Sequence, residues 1–169
     1  MRSVALPALL IAIVAAGCGS GSTKTATQVE TQQGQGPLSK AEYIALADVI
    51  CHNHLSRRQD LESQAVAVGR LTSVGKAHQV ANLLREESDN LVTEVEDLQS
   101  LQPPSADVGT VESILSLART KAALIGKWSK AYDDLDATAI RRVQIQIGVA
   151  TAKARHTARA YGFDVCGQG

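Results

Sequence analysis

Apolar residues recur along most of this chain in steps of three and four, the spacing that gathers side chains on one face of an α-helix. The pattern is most regular from Val74, where Val74, Ala77, Ala81, Leu84, Ser88, Leu91, Val95 and Leu98 form a sustained heptad seam. Pro103-Pro104 ends it, because proline lacks the amide proton and restricts the residue before it. A further stripe reads Val108, Val111, Leu115, Ala118, Ala122, Ile125, Ser129 and Tyr132, and the last reads Ile140, Val143, Ile147, Ala150, Ala154, Thr157 and Tyr161. Ahead of these, Tyr43, Leu46, Ala47, Ile50, Leu61, Ala65 and Val68 mark a first helix. Its middle is irregular, since His54 and Arg57 fall on the stripe.

The residues between stripes punctuate them. Ser39 and Glu42 have the spacing of a capping box, and Leu38 with Tyr43 that of a hydrophobic staple, so the first helix starts at this point. Gly69 and Gly75 bracket a break before the second. Ser105 can cap the third helix, with Asp107 in its first turn. Asp133–Asp136 forms a turn in which Asp136 is the next N-cap, and Gly162 suits the position just past the last helix. Short connections between four long stripes predict an all-α fold, an up-down-up-down antiparallel four-helix bundle over 38–169. Ala150, Ala152, Ala154, Ala158 and Gly148 predict that the fourth helix packs closely against its neighbours.

The N-terminus follows a different pattern. Arg2 precedes an apolar run, Val4–Ala16, broken only by Pro7. This is shorter than the roughly 20 residues that span a bilayer, and it has the form of an export signal over 1–17. Ala15-Ala16-Gly17-Cys18 resembles a bacterial lipobox, with Ala15 where Leu is commoner, and predicts that Cys18 becomes the acylated N-terminus, carrying palmitate-type chains. The alternative is an ordinary cleaved secretory signal with Cys18 incidental. Residues 18–37 are rich in Gly, Ser, Thr and Gln and read as a disordered tether, spanning roughly 25 Å on a flexible-chain estimate. Either kind of signal delivers the protein to an oxidising compartment, where a disulfide persists. Cys51 then has Cys166 as its partner, and an even number of antiparallel helices brings the two to the same end.

Length and charge narrow the class. The 169 residues suit one folded domain, the formal net charge is zero and aromatics make up 3%, so nothing global calls for nucleic acid, and close-packed helices fit better than a β-sandwich. Charge is unevenly placed. The second helix holds Glu86, Glu87, Asp89, Glu94, Glu96 and Asp97, whereas the fourth holds Arg141, Arg142, Lys153, Arg155 and Arg159 without an acid. Solvated helix faces account for this; so does a basic face that meets anionic headgroups or an acidic partner.

Leu38-Ser-Lys-Ala-Glu-Tyr-Ile, Ala47-Asp48-Val-Ile-Cys51, Pro103-Pro104 and Tyr161-Gly-Phe-Asp-Val-Cys166-Gly resemble a group of small secreted proteins and lipoproteins of actinobacteria. The resemblance covers the domain after the tether. It implies export, a helical domain and the terminal disulfide, and nothing about activity.

Candidate chemistry is sparse. His52 and His54 point apart on a helix, no Glu has a His three residues later, and the one Met is the initiator, so no metal, haem or other cofactor is expected. No nucleophile or phosphate-loop motif appears, and no enzyme is expected. Trp128 lies at a helical core position beside Ile125 and Tyr132. His54 and Arg57 read either as polar residues at the bundle edge or as the wall of an interhelical pocket. The sequence therefore predicts a protein lipid-anchored on the extracytoplasmic face of the membrane, acting through protein or envelope contacts. The alternative is a small-ligand carrier with a pocket near His54, Arg57 and Trp128.

Overall fold

The computed structural model describes residues 38–68 and 73–168. The export signal, Cys18, the tether and the break at Gly69 lie outside the described residues. Four helices follow one another: α1 (Lys40–Val68), α2 (Val74–Ser100), α3 (Val108–Asp133) and α4 (Ala137–Tyr161). All belong to the compact unit Gly34–Gly169, and every contact described below lies within it.

Each helix starts or stops where its backbone groups find partners. The Ser39 N–H donates to Glu42 Oε2 at 2.9 Å and the Glu42 N–H donates to Ser39 Oγ at 3.3 Å, a reciprocal capping box. Leu38 and Tyr43 pack into one cluster beside it. Ser73 caps α2, which leaves Gly75 in the first turn of the helix rather than ahead of it. Asp136 accepts the Thr138 and Ala139 amides at the head of α4. At its tail Gly162 takes φ 117°, and the Gly162 and Phe163 amides donate back to Arg159 O and Ala158 O, both at 3.1 Å, as a Schellman pair. The start of α3 differs from expectation. Asp107, not Ser105, is the N-cap, and its carboxylate does not cap but accepts from the Tyr161 hydroxyl at 3.0 Å.

The predicted four-helix bundle forms, with α1 against α2, α2 against α3 and α3 against α4. No comparable backbone packing joins α4 to α1. The core divides accordingly. At the end where α1 starts and α4 finishes, here the upper end, Tyr43, Ala47, Cys51, Val95, Leu98, Leu115, Tyr161 and Phe163 belong to one cluster fed by all four helices and the tail. The lower cluster is built on Leu84, Leu91, Ala122 and Ile125 of α2 and α3, and no residue of α1 contributes to it. Close packing of α4 holds only in part. Ala158 is buried, but Ala152 is exposed and a Cβ placed on Gly148 would meet nothing within 4 Å.

The tail replaces the missing helix contact at the top. After Gly162 the chain turns back onto α1, where the disulfide Cys51–Cys166 joins residues 115 apart in sequence with a Cα separation of 5.2 Å. The Asp48 carboxylate, one turn before Cys51, accepts three consecutive amides: Asp164 at 3.0 Å, Val165 at 2.9 Å and Cys166 at 2.9 Å. Such charge-assisted bonds hold the tail along the same path as the disulfide.

Candidate functional site

Below Cys51 the inner face of α1 turns polar. Steps of three and four from Cys51 fall on His54, Arg58, Leu61 and Ala65. His54 places Nδ1 3.0 Å from Asn90 Oδ1 and Nε2 2.8 Å from Asp97 Oδ2. The Asn90 amide nitrogen donates to the His54 carbonyl at 3.2 Å, which leaves its oxygen toward the ring. Both ring nitrogens therefore face acceptors, the arrangement of an imidazolium. Burial alone pulls the His54 pKa down, but the bonds to Asp97 and Asn90 and the charges of Glu94 and Asp97 together raise it.

Arg57 points outward, half-exposed, to Asp60 at 3.1 Å and Glu86 at 2.7 Å. The inward cation of this turn is Arg58, paired with Glu94 at 2.8 Å with the two side chains 13% and 9% exposed. The stripe assignment of Arg57 is thus one residue out of step. The lower half of α1 is held to α2 by this polar seam, where the upper half is held by apolar packing.

Because α1 and α4 stand apart, a cleft of about 670 Å³ opens between them, floored by α2 and α3. Arg58, Glu87 and Lys121 line it at one level, with Arg155 above them and the exposed Glu62 at the rim. Below them the lining is apolar, with Ala65, Val80, Trp128 and Tyr132, while Ile147 of α4 packs on the cluster of Leu84 and Ile125. The Trp128 and Tyr132 ring centroids lie 5.9 Å apart, and the buried Trp128 Nε1 has no hydrogen-bond partner among the described residues.

Lys121 is the cleft's most unusual group. Its residue is 8% exposed, yet among the described residues no carboxylate lies within ion-pairing distance of its ammonium. Burial first, then Arg58 and more weakly Arg155, pull its pKa down to about 8 against the opposing pull of Glu87 and Glu94. Burial also pushes the Glu87 carboxyl up, against the charges of Lys121 and Arg58. Glu94 is raised by burial too, despite Arg58.

The Lys121 shift has a measurable sign. Its folded pKa lies below the ordinary lysine value, so above about 8 the folded protein has released a proton that the unfolded chain keeps until about 10.5. Stability therefore rises with pH through that window, and below it the cost of the buried charge is constant. Between about pH 7.5 and 9.5 the wild type should gain about 1–2 kcal/mol relative to Lys121→Met. Urea unfolding at the two pH values checks this, and parallel curves for the two proteins would refute it.

Of the three pocket residues expected from sequence, only Trp128 lines the cleft. His54 belongs to the α1–α2 seam, Arg57 is on the surface, and the three do not converge. Lys121, Glu87 and Arg58 were missed, although a signal existed: each sits at the apolar period of its helix, beside the main seam. The basic residues of α4 do come together. Arg141, Arg142, Lys153, Arg155 and Arg159 are all exposed on one arc of the helix, with Ile145 (64% exposed) and Val149 (67%) between them.

Among the described residues no three His, Cys, Asp or Glu side chains gather as a metal site, and no helix is long and apolar enough to cross a membrane. Comparisons with protein-family models, curated proteins and solved structures returned no match.

Proposed function

We propose that this protein is a lipid-anchored binding protein of the extracytoplasmic face of a bacterial membrane, and that its cleft between α1 and α4 receives a small ligand. The observation that carries this reading is the open α1–α4 side. A bundle built only to be stable would close that side with apolar side chains, whereas here it is lined by Lys121 and Glu87, both at the cost of desolvation. The cleft volume lies in the range of roughly 300–1,000 Å³ usual for small-molecule sites. The export signal, the lipobox-like Cys18 and a disulfide suited to an oxidising compartment support the location.

Native mass spectrometry of the protein purified from its own envelope tests the reading. A stoichiometric small molecule, lost in a variant with the cleft filled by Ala65→Phe, is the expected result. A protein that is consistently empty would overturn it.

One observation favours a second reading, contact with an anionic membrane surface. The exposed arc of α4 combines five cations with two apolar residues, which is the chemistry of interfacial helices. Binding of the Gly34–Gly169 unit to vesicles containing phosphatidylglycerol, weakening as salt is raised, would support it. Equal indifference to charged and neutral vesicles at low salt would sink it.

A further inference from the structure

We infer that the cleft takes an anionic amphiphile, with a carboxylate or phosphate head against Lys121 and a single apolar chain running down past Trp128 and Tyr132. The inference rests on the reading of the cleft as a ligand site and adds the chemistry of the ligand. Three features point to it. First, the lining is graded along the bundle. In an antiparallel arrangement Arg58, Glu87 and Lys121 share one level with Arg155 above them, and Ala65, Val80, Trp128 and Tyr132 share a lower one. A ligand that fits both levels is polar at one end and apolar at the other.

Second, the polar level holds a cation without a direct partner. Lys121 is 8% exposed, it lines the cleft, and no carboxylate among the described residues is within ion-pairing distance. A buried charge of this kind is costly unless a counter-ion arrives. An anionic head supplies one, whereas a cationic head would add a like charge beside Lys121, Arg58 and Arg155. The two acids that face the same space do not reverse this. Glu62 is exposed at the rim, and Glu87 is set against the charges of both Lys121 and Arg58.

Third, the α1 and α4 backbones that frame the cleft do not pack on one another, so a chain can enter sideways from a membrane or a partner instead of threading through an end.

Trp128 is the only tryptophan in the sequence and lies in the apolar part, so its emission reports occupancy directly. The Gly34–Gly169 unit, which holds all the described contacts and its own disulfide, is titrated with laurate, dodecyl phosphate and the neutral ester monolaurin. At least one anion should saturate a Trp128 emission change with a Kd at least tenfold below that of monolaurin. Lys121→Met should abolish the preference for charge while leaving the helical circular dichroism intact, and Ala65→Phe should weaken binding of every ligand. Tighter laurate assigns a free acid, and tighter dodecyl phosphate assigns a lipid phosphate. Equal affinity for charged and neutral chains, a charge preference that survives Lys121→Met, or no binding would overturn the inference. If it falls while envelope-purified protein still carries another molecule, the cleft reading stands; if that protein is also empty, both fall.

Discussion

Replacing Cys51 and Cys166 together by Ala should lower the unfolding free energy by about 4–5 kcal/mol. The bond joins residues 115 apart, and the entropy it removes from the unfolded chain grows with the logarithm of that loop. Domains of this size are stable by only about 5–15 kcal/mol, so the variant is left marginal. With a urea m-value of about 1.5–2 kcal/mol per molar, the midpoint falls by about 2–3 M. The Asp48 clamp separates the covalent effect from the tail's own docking. Asp48→Ala leaves the Asp164, Val165 and Cys166 amides without their acceptor, and should destabilise the oxidised protein by about 1–3 kcal/mol while the disulfide remains. If the double alanine variant instead unfolds within about 0.5 M of the wild type, the tail is held by Asp48 and Phe163 alone and the loop-closure account is wrong.

Removing the Glu94 carboxylate is the second large effect. Arg58 and Glu94 are 13% and 9% exposed and bonded at 2.8 Å, with Lys121 close enough to repel Arg58. Glu94→Ala leaves two cations with little compensation in the same low-dielectric space and should cost about 3–5 kcal/mol. Replacing the pair with apolar residues, Arg58→Met with Glu94→Leu, should cost far less and can stabilise the protein, because no buried charge is then left alone. Urea unfolding of the single and double variants checks this. A single variant that loses under about 1 kcal/mol would mean that water reaches the pair and that the seam is a surface feature.

Much of the architecture was legible in the sequence because it rests on local chemistry. The Ser39–Glu42 box, the Asp136 cap and the Gly162 stop are set by side chains within a few residues, and each was read in place. The seams of α2 and α3 were read because apolar periodicity is a direct signature of a helix face. Val74 and Val108, assigned to those seams, are exposed, each as the first residue of its helix. Asp107 escaped because its partner, Tyr161, is 54 residues away.

The site was legible only in outline. Reading one seam per helix hides the row beside it. On α2 that row is Leu84, Glu87, Leu91, Glu94 and Leu98, and on α3 it is Ala118, Lys121, Ile125, Trp128 and Tyr132. Charges recurring on an apolar row were the available clue to a polar interior. That α1 and α4 fail to close was not legible, since it depends on the summed shape of four helices. The composition of α1 offers a reason in hindsight: between Arg57 and Gln64 only Leu61 is apolar, so that half of the helix has little to bury against α4.

The division of the α1 interface into an apolar half and a polar half makes α1 unequal along its length. Near Tyr43 and Cys51 the helix is pinned by a mixed core and a covalent bond, and its amide protons should exchange most slowly there. From Arg57 on it rests on the Arg57 and Arg58 ion pairs and the single buried Leu61, so those amides should exchange faster, through local opening of the lower half. On the proposed reading of the cleft, the lower half of α1 is the wall expected to move as a ligand enters, with the disulfide holding the upper half in place.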